Sequence, residues 1–314
     1  MIDFIQATLT IEGKDSPFFG NLQPIYENRS GMAFETKAGC KKMRIFYNRV
    51  LNSITIEGSP MYFMQGHNLT FDRLTLIQGI NYLETILCVQ GLWSARVNIF
   101  EYGVLLQTEL TPREYIKHHK SPPKEKLLLY ENTKDNGLFR SWNDSNVNIK
   151  MYDAIRNAKY KTSKDIRPDM DMSRNANWLK FEAHYIKPEC LNSGRAVLLA
   201  DLINPNWEQV FKNDLYKQYS RLKPMKTLLE PTNKADLSSI AIVTMELAEN
   251  FIQEGRGLED LRRSLYDRIN ANEVLSKADK DSRKRQIRNT LDKLKEAPQS
   301  KYDLSKELAS ALEL

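Results

Sequence analysis

"NVNIKMYDAIRN", residues 146–157, decides how this chain is read. Val147, Ile149 and Met151 alternate with Asn148, Lys150 and Tyr152, and a period of two sends these sets to opposite faces of a β-sheet. Tyr152 falls on the polar face beside a lysine, whereas a tyrosine needed only for packing would join the apolar set. Other runs share the design. In "WLKFEAHYI" Lys180, Glu182 and His184 oppose Leu179, Phe181, Ala183 and Tyr185; in "SARVNI" Arg96 and Asn98 oppose Ala95, Val97 and Ile99; in "SITIEG" Thr55 and Glu57 oppose Ile54 and Ile56. If the apolar faces pack on helices, one polar face gathers Glu57, Arg96, Asn98, Lys150, Tyr152, Lys180, Glu182 and His184. The plain alternative is a merely solvated face, common in antiparallel sheets.

The chain has 314 residues, enough for two units, with 41% hydrophobic, 27% charged and 10% aromatic residues. That composition suits a globular protein and argues against disorder. The net charge of +6 favours an anionic partner without naming it. Cys40, Cys88 and Cys190 are widely spaced with no CxxC pattern, which points away from structural zinc and towards free thiols. No secretory signal and no apolar run near the roughly 20 residues of a membrane span are seen, so a cytoplasmic protein with no membrane partner is expected.

The expected fold is α+β: an antiparallel or mixed sheet of about five strands with helices on one face, followed by a helical C-terminal region. Residues 1–200 would form the first domain and 201–314 the second. Leu74, Ile77, Ile80, Leu83 and Leu87 predict a helix over 71–90; "TPREYIKHHK" predicts another, with Thr111 as N-cap, Pro112 first and Glu114 closing a capping box. Residues 117–126 and 159–177 read as loops.

On the polar face, a carboxylate and an imidazole at i and i+2, Glu182 and His184, suit a hard divalent cation. A phenol needs help as a nucleophile because its ordinary pKa is about 10. Lys150 shares its face and can lower that pKa or neutralise a phosphate oxygen. Together these types suit phosphodiester chemistry at Tyr152. Tyr160 is a rival nucleophile, read here as a base-stacking residue.

Four segments also resemble, in order and approximate spacing over residues 1 to about 200, the gene II replication initiators of filamentous phages and their plasmid relatives. "ITIEGSPMYFMQGHNLTF" resembles that family's "SP…QGHN" segment, "SARVNI" its Arg-x-Asp strand, "SWNDSNVNIKMYDAIRN" its nucleophile segment and "WLKFEAHYIKPECL" its Arg-Phe-Glu-Ala-Arg strand. Asn98 stands where the family has the aspartate, and His184 where it has the second arginine.

The resemblance implies a rolling-circle replication initiator of the HUH-like group, a nicking and closing DNA endonuclease that works through a 5′-phosphotyrosine. Tyr152 would be the nucleophile and Lys150 its phosphate-charge partner. Mg2+ or Mn2+ would be held by Glu182 and His67, with Asn98, Glu101 or His184 in support and Glu57 as a further substitute. Arg96, Lys180, Arg156, Lys159 and Tyr160 would contact DNA. The implied partners are supercoiled and single-stranded origin DNA, with a host helicase and DNA polymerase, in a bacterial cytoplasm.

In the helical part, Arg283, Lys284 and Arg285 can grip duplex backbone, although Asp279, Asp281 and Asp292 suggest a solvated face. The apolar stripe of "ELAENFIQEGRGLEDLRRSLYDRI" reads as core, with self-association as an option. A plasmid mobilisation relaxase is an alternative with the same chemistry, and a non-catalytic DNA-binding initiator or repressor is one without it.

Overall fold

The computed structural model describes residues 1–11, 19–120, 128–131, 139–161, 177–229, 238–296 and 299–314. Its strands are β1 (Ile2–Thr10), β2 (Leu22–Glu27), β3 (Gly31–Thr36), β4 (Arg44–Asn48), β5 (Ser53–Gly58), β6 (Arg96–Gln107), β7 (His119–Lys120), β8 (Leu128–Glu131), β9 (Phe139–Asn143), β10 (Val147–Asp153), β11 (Trp178–Tyr185), β12 (Lys223–Pro224), β13 (Leu228–Leu229) and β14 (Lys295–Glu296). The helices are α1 (Pro60–Gln65), α2 (Arg73–Leu87), α3 (Pro112–Lys117), α4 (Ala154–Lys161), α5 (Pro205–Ser220), α6 (Ser239–Gln253), α7 (Leu258–Ala271), α8 (Lys277–Lys293) and α9 (Ser305–Leu312).

The fold is α+β, built on one antiparallel sheet in the order β2-β3-β4-β5-β1-β6-β11-β10-β9-β8. Ten strands replace the expected five or so, because short runs such as "LQPIYE" and "FRSWN" carry weak alternation and gain their place by pairing. The central strands show the anticipated two faces. In β11, Leu179, Phe181, Ala183 and Tyr185 are buried on one side. On the other, Lys180, Glu182 and His184 stand opposite Tyr152, Lys150 and Asn148 of β10. The apolar side is covered by α5 and α9: Phe211 packs on Phe100 at 5.1 Å between ring centres, and Tyr219 meets Phe181 edge-on at 5.6 Å. Tyr185 Oη donates to Asp214 Oδ2 at 2.8 Å, so even the deepest phenol on that side has a partner.

Two bulges matter for the site. The β1–β6 register shifts between Ile2 and Ile5 and again between Gln6 and Ala7. A bulge inserts an extra residue into the alternation. Asp3 and Gln6, at odd spacing, therefore both leave the apolar side, while Ile2, Ile5 and Ala7 stay in it.

The capping signals behave as read, although the helix predicted over 111–120 stops at Lys117 and His119–Lys120 form β7 instead of the loop expected from 117. Thr111 N and Oγ1 both donate to Glu114 Oε2, at 2.9 and 2.7 Å, at the start of α3. Asp72 caps α2, which ends at Cys88 in the left-handed region, three residues before Gly91. The expected loop over 159–177 differs at its start: residues 159–161 form the last turn of α4, because the helix begins directly where β10 ends. Residues 162–176 and 121–127 lie outside the described residues. One short helix meets the polar side: Ala154 and Ala158 of α4 pack with Leu69, Leu105 and Trp178, and Leu105 stands opposite Lys180.

The chain divides into two compact units. One comprises Met1–Lys117, Ser121–Leu222 and Leu304–Leu314; the other comprises His118–Lys120 and Lys223–Asp303. Against the expected division at residue 200, α5 belongs to the first unit because its apolar face covers the sheet, and α9 returns there for the same reason. In the second unit α6, α7 and α8 close around Met245, Ala248, Leu261, Ile287 and Leu291. No described helix is long and apolar enough to cross a membrane.

Phe181 is fully buried on the apolar face of β11. Phe181→Ala is expected to cost about 3–5 kcal/mol through lost burial and the cavity left under α5, measured by urea unfolding.

Candidate active site

Tyr152 and its neighbours are placed by three adjacent strands. β10 supplies Lys150 and Tyr152, β11 supplies Lys180, Glu182 and His184, and β6 supplies Glu101, all on the polar face by register. β6 also supplies Gly103, opposite Glu182. A Cβ there would lie 2.5 Å from Glu182 Cβ and 2.8 Å from the Phe181 carbonyl oxygen, so only glycine leaves Glu182 its room.

The side chains form a chain of alternating charge. His184 Nδ1 lies 2.8 Å from Glu101 Oε1, which also takes the Lys150 ammonium. Lys150 Nζ is 3.8 Å from Glu182 Oε1. The other Glu182 oxygen, Oε2, accepts the Tyr152 phenol at 3.1 Å and lies 3.7 Å from Lys180 Nζ. Lys180 Nζ is 2.6 Å from Asp3 Oδ2, an oxygen that also accepts from the Asn68 amide. Ser59 Oγ donates to Asp3 Oδ1 at 3.3 Å.

Burial sets the protonation states. Lys180, at 1% exposure, and Glu182, at 3%, are both inside the protein. Burial, and after it the nearby Glu101 charge, pushes the Glu182 carboxyl up to about 7, with Lys180 and Lys150 resisting the rise. Burial also disfavours the Glu101 charge, but the His184 hydrogen bond and Lys150 outweigh it and hold that carboxyl at about 2. Lys150 and Lys180 remain charged: burial opposes this, and the surrounding carboxylates prevail. Burial, with Glu182 and Asp3 behind it, raises the Tyr152 phenol well above its ordinary range. The resting phenol is therefore protonated, with a carboxylate of near-neutral pKa as its acceptor.

The site forms the floor of a cleft of about 1000 Å³. One wall is α4, whose Arg156, Lys159, Tyr160 and Lys161 line it together with Phe139. Tyr160 is 91% exposed. Phe139 stacks on Tyr152 at 6.4 Å between ring centres.

Among the described residues, Asp3, Glu101 and Glu182 are the one group of three side chains with ligand atoms mutually within 4.8 Å. Three hard carboxylates fit Mg2+ or Mn2+ by donor type. Of the expected ligands, Glu182 and Glu101 join this group. His184 reaches it only through Glu101. His67 stays outside: its Nδ1 lies 3.3 Å from the Gln65 amide, and burial holds its pKa below the ordinary value. Asn98 turns to β1 and donates to Thr8 Oγ1 at 2.7 Å. Glu57 accepts from Gln6 at 2.8 Å, in the first half of the sheet. Asp3 and Asn68 were not anticipated; the one sequence signal for Asp3 is an acid in the otherwise apolar opening "MIDFI".

The expected DNA contacts divide. Arg156, Lys159 and Tyr160 do line the cleft. Lys180 is not among the residues lining the cleft; it is buried as the partner of Asp3. Arg96 is exposed near Glu189, at 3.9 Å. Arg283, Lys284 and Arg285 lie on α8 in the second unit, where Lys284 Nζ sits 5.8 Å over the Tyr266 ring. Family-model, curated-protein and solved-structure comparisons each return no match to this chain.

The Glu182 shift has a sign that unfolding measures. A carboxyl at about 7 when folded and at its ordinary 4.5 when unfolded holds an extra proton in the native state between those values. Stability therefore falls as pH rises from about 4.5 to about 7 and levels above that. Urea unfolding without added metal is expected to show this slope in the native chain and a flatter one in Glu182→Gln. Equal slopes would contradict the assigned protonation.

Proposed function

We propose that this chain is a rolling-circle DNA replication initiator of the gene II type, which nicks one strand through Tyr152 and later reseals it. The observation that carries the reading is the Tyr152–Glu182 hydrogen bond, 3.1 Å long, at the floor of a cleft walled by basic α4. Tyr152 Oη would bond to phosphorus as the bond to the 3′ oxygen breaks, leaving a 5′-phosphotyrosine and a 3′ oxygen that takes a proton from water to become the primer hydroxyl. Glu182 would take the phenol's proton as attack proceeds, a role its near-neutral pKa suits. Lys150, which lines the cleft, would meet the charge growing on the phosphate oxygens. Lys180 would hold Glu182 and Asp3 in place from below. A divalent cation on Asp3, Glu101 and Glu182 would offset their charge and polarise the scissile phosphate.

The α4 wall would hold the single strand beside the break. Arg156, Lys159 and Lys161 would follow the phosphates, and the exposed Tyr160 ring would stack on a base. Origin DNA and a host polymerase that extends the freed 3′ end are the partners this chemistry requires.

A second reading is favoured by one fact: Tyr152 is only 9% exposed. In it the acidic group and Lys150 would serve a hydrolytic nuclease with water as nucleophile, and Tyr152 would orient Glu182.

With supercoiled DNA bearing the replicon that encodes the chain, Mn2+ is expected to give relaxed circles with protein-linked 5′ ends, and Tyr152→Phe neither. Cutting by Tyr152→Phe that leaves free 5′ phosphates would select the hydrolytic reading. In the Tyr152→Phe background, Tyr160→Ala is expected to weaken single-strand binding about 5- to 150-fold, from about 1–3 kcal/mol per stacked base. Tyr160→Trp is expected to bind as the parent does in a fluorescence titration.

A further inference from the structure

The strand order reads as one five-stranded unit written twice. In the first copy β1 is joined at its side by β5, the last strand of the meander β2 to β5; in the second, β6 is joined by β11, the last strand of β8 to β11. The two opening strands, β1 and β6, pair antiparallel at the centre. Laying Glu57 on Glu182 brings the registers into correspondence. Arg44 stands opposite Glu57 as Lys150 stands opposite Glu182, and Phe46 stands opposite Thr55 as Tyr152 stands opposite Lys180. Gln6 faces Glu57 as Gly103 faces Glu182, and Ala33 faces Phe46 as Phe139 faces Tyr152. The apolar sides agree: Ile54 and Ile56 are as fully buried as Leu179 and Phe181.

We infer that the sheet is a duplicated unit whose second copy holds the active site and whose first copy carries its silent counterpart. This rests on the nicking reading for which copy is active, and on register alone for the correspondence. The first copy keeps the carboxylate as Glu57 and a cation beside it as Arg44, but the nucleophile and the room and partners around the carboxylate are replaced. Phe46 has no hydroxyl at the nucleophile's place. Thr55 stands for Lys180 and is engaged with Thr8, the two hydroxyls 2.7 Å apart. Gln6 stands where Gly103 makes room, and its amide occupies Glu57 at 2.8 Å. Arg44 lies 3.9 Å from Glu57, and no group of three candidate ligand residues includes Glu57 among the described residues.

The silent copy still serves the site. Asp3, Ser59 and Asn68 all belong to the first copy or to the segment following its last strand, and they complete the charge chain at Lys180. The active site is thus a composite at the join of the two copies, with one nucleophile and one cation position per chain.

Titration of the full chain with Mn2+, read by the electron paramagnetic resonance of the free ion, tests this without relying on DNA cleavage. One ion per chain is expected, with Glu57→Gln binding as the native protein does. Asp3→Asn and Glu182→Gln are expected to weaken binding at least about 10-fold, the cost usual for even an outer partner of a metal. Two equivalent ions, no ion, or a loss in Glu57→Gln equal to that in Glu182→Gln would overturn the inference. The expected metal pattern without any protein-linked DNA would defeat the nicking reading and leave the duplicated site standing.

Discussion

A carboxylate buried beneath a tyrosine is the constraint on which the site depends. Glu182 lies inside the protein and must be matched by cations that are themselves matched. Lys150 and Lys180 flank it, Glu101 and Asp3 hold those lysines, and His184 and Asn68 finish the two ends. Each charge on this face is accountable only through its neighbour. Removing one member exposes the next to an uncompensated interior charge, which is why the chain is spread over β1, β6, β10 and β11 and demands their register.

The same arrangement would serve chemistry. Structural ion pairs on a sheet face have no need of a phenol hydrogen-bonded to a carboxylate of near-neutral pKa, nor of a cleft above it. The raised phenol pKa would keep Tyr152 inert until a substrate engaged the site, and Glu182 would receive the proton at that moment. The basic helix begins one residue after β10 ends, so the strand that presents Tyr152 also aims the wall that would hold DNA.

Much of this face was legible in the sequence because period-two alternation survives in β10 and β11, where Lys150, Tyr152, Lys180 and Glu182 share a side as read. Asp3 was not legible. The bulges in the β1–β6 pairing break strict alternation, and only the folded register puts Asp3 and Gln6 on one side. The burial of Lys180 was not legible because sequence periodicity gives a face but not depth; β1, lying beyond β6, brings Asp3 to it and buries both. Tyr160 was assigned to a loop because α4 is only eight residues long and strongly polar. The two-copy architecture leaves little trace in residue identity, since Phe46 and Tyr152, or Gln6 and Gly103, correspond only through pairing.

The central claim is that Tyr152 is the atom source of a covalent bond to DNA. Trapping the product formed with Mn2+, digesting protein and DNA, and locating the nucleotide-bearing peptide by mass spectrometry tests it directly. The account predicts a nucleotide on Tyr152, in the peptide carrying "MYD". A nucleotide on Tyr160, or cut DNA with no modified peptide, would contradict it.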